Sequence, residues 1–446
     1  MNSSPPQRLN LSANRRFLVR GDDRPLFWLG DTAWELFHRT TIEEAEHYLE
    51  NRRQKGFTVV QAVVLAELDG LNTPNAYHEC PLMNHDPLRP NENFFRYIDR
   101  VIDLAGQKDL HIGLLPTWGD KLERLHFGKG PVIFNPDNAF QYGQWIGRRY
   151  RDYPNIVWIN GGDRPGGGEN YPIWDALARG IKSVDANHLM TFHPPGGGDG
   201  RSSSEWFHEC DWLDFNLAQS GHERINLPNY AIVSHDYNLT PVKPCLDGEP
   251  RYEDHGVNWK PQELGWFDDY DVRQAAYWAV FAGAFGHTYG CHAVWQMFQP
   301  GREPVNSPRR HWLEALDLPG AGQMIHLKNL MRSRPFVTRV PDQSLAINVE
   351  PGTCDQARAT RDSEGRYAFI YLPFGGQVAV NLTPLRGQQI KAWWYDPRTG
   401  AARLLGHVKR SAAADFAAPE TGRGHDWVLV LDDAALEFAP PGKGLL

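Results

Sequence analysis

The sequence predicts an α/β fold, a (β/α)₈ TIM barrel, followed by a C-terminal antiparallel β-sandwich domain. Eight short apolar runs alternate with amphipathic helix patterns before residue 334, which is typical of parallel strands joined by crossover helices. After residue 334 the helix pattern gives way to short strand-like runs separated by turn residues. We therefore predict a barrel domain over residues 1–338 and a β-sandwich domain over residues 339–446.

The predicted barrel strands are short runs rich in apolar residues, and helix start signals lie between several of them. Thr41 and Glu44 have the spacing of a capping box, and Asn135 and Pro136 supply an N-cap and an N1 proline. Links from helix to strand are short, whereas several links from strand to helix are long. This favours a barrel over the alternative, a doubly wound open sheet. The predicted strands are 26–30, 58–65, 111–117, 156–160, 189–193, 212–217, 242–246 and 287–295.

The predicted C-terminal domain consists of seven short strands. Turn signals, such as those at residues 363–365 and 396–400, separate them. A domain of about 100 residues with this pattern is typical of a β-sandwich. The predicted strands are 344–349, 357–361, 367–372, 377–382, 389–395, 403–405 and 427–431.

Composition and charge exclude several classes of protein. The 46 Lys and Arg against 54 Asp and Glu give a net charge of −8, without a basic run longer than two residues, so we expect no nucleic-acid partner. The five cysteines are widely spaced and form no CxxC pair, so neither a disulfide framework nor a cysteine zinc site is predicted. Neither a His-Glu-x-x-His motif nor a phosphate-binding loop occurs, so we predict no metal and no cofactor.

The sequence also bears on the cellular location. Its longest apolar run, residues 277–286, is far shorter than the ~20 residues that cross a bilayer, so no membrane partner is expected. The first 20 residues are polar and lack the apolar centre of a secretory signal. We expect a cytoplasmic protein, or a periplasmic or secreted one if a signal has been trimmed. The sequence gives no prediction of oligomeric state.

Two carboxylates follow predicted strands on opposite sides of the barrel mouth. Asp163 ends a Gly-Gly-Asp turn after the fourth strand, and Glu249 follows the seventh. Each alone is equally well explained as a capping or loop residue, but together they face each other where barrel enzymes place their chemistry. Glycoside hydrolysis needs such a pair. A separation of roughly 5–5.5 Å indicates retention and roughly 6.5–9.5 Å indicates inversion, and the sequence leaves both open.

Tryptophan is frequent in this chain, with 16 residues. Six lie on or just beyond predicted strand ends, where an aromatic ring can pack on the apolar face of a sugar, and polar side chains lie at the same edge. The six are Trp34, Trp118, Trp206, Trp259, Trp266 and Trp295. The predicted substrate-binding residues are Asp31, Trp34, Trp118, Asn160, His193, Trp206, Asn216, Gln219, Tyr252, His292 and Trp295.

Six ordered segments resemble the apiosidase-like catalytic domain, the barrel type of glycoside hydrolase family 140. The resemblance implies a retaining glycosidase that acts on plant cell-wall pectin, with cleavage at apiose, and it implies Asp163 as acid/base and Glu249 as nucleophile. The tail, through residues 393–400, resembles the small β domain that often follows this barrel and is labelled as collagen-binding. The barrel segments are 27–36, 158–163, 193–196, 214–222, 247–253 and 286–296.

Other functions remain open at this stage. The same barrel could carry a different sugar specificity, such as that of an arabinofuranosidase or a rhamnosidase, or could bind carbohydrate without catalysis. A collagen-targeting peptidase would need a nucleophile or zinc motif, and the sequence shows neither. We therefore expect a carbohydrate substrate as the partner.

Overall fold

The computed structural model describes residues 6–125, 128–347, 349, 353 and 356–444. Its N-terminal part is a mixed α/β unit built around parallel strands. Six of them form one curled sheet in the order β8-β1-β2-β3-β4-β5, while β6 and β7 pair in parallel in a separate small sheet. The strands are β1 (Trp28–Thr32), β2 (Val59–Leu65), β3 (His111–Thr117), β4 (Ile156–Gly161), β5 (Met190–His193), β6 (Asn216–Gln219), β7 (Cys245–Asp247) and β8 (Gly286–Tyr289).

The helices that connect these strands begin where the sequence signals indicate. Thr41 Oγ1 accepts from Glu44 N at 3.3 Å and Glu44 Oε2 accepts from Thr41 N at 2.8 Å, which confirms the capping box. Asn135 caps the next such helix, with Pro136 at its first position. The longer helices are Ile42–Gln54, Glu92–Gln107, Pro136–Tyr150, Tyr171–Lys182, Tyr230–Tyr237, Asp269–Phe281 and Pro319–Arg332. Among the described residues, no helix is both long and apolar enough to cross a membrane.

Three predicted barrel strands differ from those observed by three residues or more. The run 287–295 was predicted as one strand, but β8 ends at Tyr289 and a short helix, His292–Trp295, follows. The run 212–217 is mostly irregular, and β6 begins only at Asn216; in the run 242–246, β7 begins only at Cys245. All three runs are largely buried, and a short buried apolar run does not distinguish strand from helix or turn by periodicity.

The C-terminal part is an antiparallel β domain. A six-stranded sheet contains, in order, Arg339–Pro341, Arg358–Asp362, Tyr367–Leu372, Trp427–Asp433, Gln389–Tyr395 and Ala402–Lys409, and a two-stranded sheet pairs Gly375–Val380 with Ala414–Thr421. The strand Ala414–Thr421 was not predicted, because its residues do not alternate between apolar and polar. In the structure most of them are exposed. The predicted strand 344–349 is wrong at residues 344–345, which belong to the 3₁₀ turn Gln343–Leu345, and residue 348 lies outside the described residues.

The six-stranded sheet packs tightly on the helix Asp269–Phe281. The ring of Tyr277 stacks on that of Tyr371 with centroids 4.8 Å apart, and side chains of both parts belong to one continuous apolar core. Arg273 forms a buried ion pair with Asp426 at 2.8 Å. Charge pairing and apolar packing therefore hold the two parts together.

The Arg273–Asp426 pair gives a stability prediction. We expect Asp426→Ala to lower the free energy of unfolding by about 3 kcal/mol, because it leaves the guanidinium of Arg273 buried without its main partner. Asp415→Ala, at an exposed position of the same domain, serves as the control and should change it by less than about 0.5 kcal/mol. Denaturant unfolding of both variants measures the difference, and equal stability of the two would contradict the prediction.

Candidate active site

Asp163 is the last of three successive residues with positive φ at the end of β4. Gly161, Gly162 and Asp163 have φ values of 101°, 124° and 54°. A Cβ at Gly161 would lie 2.3 Å from the carbonyl oxygen of His193, and one at Gly162 would lie 2.8 Å from the ring of Trp118. Glycine is therefore required at both positions, because of the backbone conformation and because a Cβ would not fit. The turn leaves the Asp163 side chain 28% exposed.

Glu249 follows β7 and is nearly buried, with 5% exposure. Its Oε1 accepts a hydrogen bond from His222 Nε2 at 3.2 Å, and its Oε2 lies 2.8 Å from His193 Nε2, in ion-pair contact but not aligned for a hydrogen bond. Asp247, two residues earlier, accepts from Ser220 Oγ and Asn229 Nδ2, both at 2.8 Å. These contacts hold the Glu249 carboxylate and the strand end that precedes it.

The imidazole of His193 lies between the two carboxylates. Its Nδ1 is 4.0 Å from Asp163 Oδ1, while its Nε2 contacts Glu249. One ligand atom from each of the three residues lies within 4.8 Å of the other two, so this is the group among the described residues that could hold a metal ion. Because the ring turns a different nitrogen to each carboxylate, the geometry suits a bridge between two carboxylates better than a common ligand set.

The surroundings shift the pKa values of the two carboxyl groups in opposite directions. Burial and the negative charge of Glu249 raise the pKa of Asp163 to about 6, although His193 and Gln219 act in the opposite sense. Burial also acts to raise the pKa of Glu249, but the contacts with His193 and His222 outweigh it and lower that pKa to about 2. Near pH 5 one group is therefore mostly protonated and the other ionised, as an acid and a nucleophile require.

Both carboxylates open into a cleft of about 480 Å³. Its walls include four of the six tryptophans that follow predicted strands: Trp34, Trp118, Trp259 and Trp295. The rings of Trp34 and Trp118 lie 5.1 Å apart, and that of Trp34 lies 5.3 Å from the ring of His193. Aromatic surfaces beside polar groups suit the alternating apolar and hydroxylated faces of a sugar.

Residues 12–338 match the family described as "Apiosidase-like, catalytic domain". The chain belongs to this family. Residues 340–432 match a second family, described as "Putative collagen-binding domain of a collagenase". The predicted resemblance, an apiosidase-like catalytic domain followed by this β domain, is thereby confirmed.

Solved structures agree with the family assignment. One described as "Glycoside hydrolase" is 33% identical, with a TM-score of 0.88 over 97% of this chain and 98% of that one. A glycoside hydrolase family 5 structure from Bacteroides vulgatus is 33% identical, with a TM-score of 0.90 over 98% and 96%. A further Bacteroides vulgatus structure, 14% identical with a TM-score of 0.69 over 96% and 82%, shows the likeness of fold alone. A comparison with curated proteins finds no match.

Together these similarities establish that the apiosidase-like chain is a glycoside hydrolase. Among the predicted site residues, seven line its cleft, and His193 is fully buried beneath the two carboxylates that it contacts. The seven are Trp34, Trp118, Asp163, Gln219, Glu249, Tyr252 and Trp295.

Asp31 does not face the cleft. Its Oδ2 accepts hydrogen bonds from Arg52 Nε and Tyr48 OH, both at 2.6 Å, and the side chain is fully buried. Both partners lie on the helix Ile42–Gln54. The prediction of Asp31 as substrate-binding is corrected to a structural ion pair that joins β1 to this helix.

The predicted binding residues Asn160 and Asn216 are also structural. Asn160 Nδ2 donates to the carbonyl oxygen of Trp174 at 2.9 Å, and its Oδ1 accepts from Gly161 N. Asn216 pairs with His208 at 3.1 Å, and both asparagines have no exposed surface. Both residues lie on strands, and their side chains form hydrogen bonds with buried polar groups outside the cleft.

Trp206 and His292 likewise do not line the cleft. Trp206 packs against the backbone of Gly166 and Gly167, and the guanidinium of Arg201 lies 5.0 Å from its ring centroid. His292 Nε2 lies within hydrogen-bond distance of the carbonyl oxygens of Val305 and Asn306, at 3.0 and 3.1 Å. His292 thus holds a loop of the cleft wall instead of contacting the space inside it.

Several residues of the site were not among those predicted. His222, which contacts Glu249, and His255 and Glu67 line the cleft. Glu67 follows β2, and burial together with the nearby charge of Asp163 raises its pKa well above the usual value. The sequence could have indicated Glu67, because it follows a strand end. His255 lies in a loop, and no sequence pattern indicated it.

Proposed function

We propose that this glycoside hydrolase removes sugar units from pectin-type plant cell-wall oligosaccharides by a retaining mechanism, with apiose as the first candidate sugar. In this proposal Asp163 is the general acid/base and Glu249 the nucleophile. The observation that carries it is that one oxygen of Asp163 and one oxygen of Glu249 lie within 4.8 Å of each other, which supports a directly facing pair of the kind that retaining enzymes use.

The proposed reaction has two steps. Glu249 attacks the anomeric carbon as Asp163 gives its proton to the leaving glycosidic oxygen, so one C–O bond forms and another breaks. Asp163, now ionised, then takes a proton from a water molecule that attacks the same carbon, and Glu249 leaves as the carboxylate. His193 and His222 stabilise the negative charge of Glu249 before the first step and after the second.

We also propose that the eight parallel strands form a closed barrel. Asp214 N donates to Met190 O at 2.8 Å, and Phe285 N donates to Cys245 O at 3.1 Å. These single hydrogen bonds support a closed ring of β1–β8, with the six-stranded sheet completed by β6 and β7. We place the domain boundary between residues 338 and 339, and we assign the β-sandwich domain a packing role, because its sheet covers the helix Asp269–Phe281.

The proposed roles predict an acidic pH optimum. We expect kcat/KM to fall as pH rises through about 6, because Asp163 must hold its proton to assist the leaving group. The acidic limb should lie far lower, since Glu249 stays ionised down to about pH 2. His222→Ala should move the acidic limb to higher pH, because it removes one contact that lowers the pKa of Glu249. A profile that is flat between pH 5 and 8 would contradict this assignment.

The sugar and the stereochemistry can be tested together. A panel of aryl glycosides containing the β-apioside, the α-L-arabinofuranoside and the α-L-rhamnoside identifies the sugar that is cleaved. Proton NMR of the first product formed from that substrate should show the anomeric configuration of the substrate. The inverted anomer as first product would refute the nucleophile role of Glu249.

A further inference from the structure

We propose that the cleft continues into a second sugar-binding pocket, the side pocket, which takes a further unit of an oligosaccharide substrate. The side pocket has a volume of about 390 Å³ and shares Leu68, Lys129 and Val305 with the catalytic cleft. The shared residues make the two spaces neighbours along one continuous surface. This inference rests on the proposed function, since it extends the substrate that the cleft would bind.

Loops that follow four strands build the side pocket. Residues 38–39 follow β1, residues 68–76 follow β2, Lys129 follows β3, and residues 301–305 follow β8. All of them leave the same edge of the parallel sheet as Asp163, which is where barrel glycosidases bind substrate. The side pocket thus extends the cleft over β1 and β2, away from the loops after β5 and β6 that form its opposite wall.

Asn75 provides the side pocket with a fixed hydrogen-bond donor. Its Oδ1 accepts from the backbone N of Tyr77 and of Glu79, at 2.9 and 3.1 Å, which sets the orientation of the amide. The residue is only 3% exposed, and its Nδ2 has no partner among the described residues. A buried donor without an acceptor is rare in folded proteins; Nδ2 itself is covered, so a ligand oxygen would satisfy it after a small movement of the side-pocket wall.

Arg302 adds a cation to the same wall. Its guanidinium donates to the carbonyl oxygens of Met297 and Arg39, and it forms no ion pair with a carboxylate in the described part of the chain. A half-buried guanidinium held only by carbonyls keeps a net positive charge toward the side pocket.

The two carboxylates of the side pocket each have a local donor. Asp69 accepts from Asn72 Nδ2 at 2.7 Å and from Thr73 Oγ1 at 3.2 Å, and Glu303 pairs with Lys129 at 2.8 Å. Asn75 Nδ2 and Arg302, in contrast, have no carboxylate partner in the described part of the chain, so this part of the side pocket favours a ligand with acceptor oxygens. Within an oligosaccharide, this chemistry is a sugar unit that presents hydroxyl or carboxylate oxygens.

The test compares substrates that reach the side pocket with one that does not. The probes are the aryl glycoside of the sugar that is cleaved, and pectin-derived oligosaccharides of two to four units that end in that sugar, each in native and carboxyl-reduced form. The decisive variant is Asn75→Asp, which keeps the two backbone contacts of Oδ1 and replaces the donor by an acceptor. Arg302→Met is the second variant.

We expect the wild type to process the best oligosaccharide at least tenfold more efficiently than the aryl glycoside, measured by kcat/KM. Asn75→Asp should reduce this ratio at least fivefold, mainly through KM, and Arg302→Met should do the same. A larger loss on the native than on the reduced oligosaccharide identifies a carboxylate ligand, and equal losses identify hydroxyls. Asn381→Asp, which replaces an amide that caps Thr383 N in the distant β domain, is the matched control.

A ratio that both variants leave unchanged would overturn the side pocket while leaving the proposed function intact. If the wild type hydrolyses none of these glycosides, the proposed function fails, and the side pocket is then tested by calorimetric titration of pectin-derived oligosaccharides of two to four units that end in apiose into Glu249→Gln protein. Binding that weakens at least fivefold when Asn75→Asp is added supports the side pocket. Absent binding, or binding indifferent to Asn75, overturns it.

Discussion

Glu249→Gln is expected to lower kcat by about 10⁴-fold or more on every glycoside that the wild type cleaves, because an amide cannot form the glycosyl-enzyme. The fold should survive, since the amide oxygen can still accept from His222 Nε2. Loss of the negative charge also lowers the pKa of His193, which the two carboxylates raise against the effect of its burial. Steady-state kinetics and circular dichroism of the same preparation separate a lost nucleophile from a lost fold.

Glu253→Gln is the matched control for this variant. Glu253 is a second buried glutamate, four residues along the chain, that accepts from Tyr289 OH at 2.6 Å and from Gly320 N at 3.1 Å. Burial raises its pKa to about 7, so it is already largely protonated at acidic pH. Its glutamine variant resembles that neutral form and should keep kcat within about threefold of the wild type. Equal losses in both variants would show that any buried amide at this edge disables the enzyme.

Asp163→Ala is expected to act according to the leaving group. Natural glycosides, whose leaving oxygen needs a proton, should lose about 10²–10⁴-fold in kcat/KM. Aryl glycosides with acidic phenols should lose far less in that step, and deglycosylation should then limit turnover. Azide should restore part of this second step and give a glycosyl azide of retained configuration, because it attacks without a general base. Measuring kcat/KM against the pKa of the phenol tests this directly.

Glu67→Gln distinguishes Asp163 from the other carboxyl group of the cleft whose pKa is raised. Glu67 lines the same space and has a pKa raised mainly by burial and then by Asp163. If Glu67 were the acid, its variant would show the leaving-group dependence and azide rescue, and Asp163→Ala would behave like the wild type on natural glycosides. We expect the reverse.

The sequence was sufficient for the features that depend on local chemistry. The capping box at Thr41 and the N1 proline at Pro136 are read from a few neighbouring residues, and both helices begin where predicted. The Gly-Gly-Asp turn also depends on local conformation, and it brings Asp163 to the cleft. Short motifs of this kind carry their structural meaning with them.

Side-chain direction could not be predicted from the same information. Asp31 lies near the end of one parallel strand and Asp163 just beyond another, yet the first turns to Arg52 on a helix and the second to the cleft. The choice depends on partners far along the chain that no local pattern identifies. The same limit applies to His292, which holds a loop through contacts 13 and 14 residues away.

The packing of the C-terminal antiparallel β domain has a consequence for truncated and chimeric proteins. The helix Asp269–Phe281 offers Arg273 and Tyr277 to the C-terminal sheet, so a catalytic part cut after residue 338 would leave Arg273 without Asp426 and would expose an apolar strip to water. Exchange of tails between relatives would require this helix face to be exchanged with them. Truncated and chimeric proteins should therefore keep the two parts together. A substitution at this interface in one part needs a complementary substitution in the other.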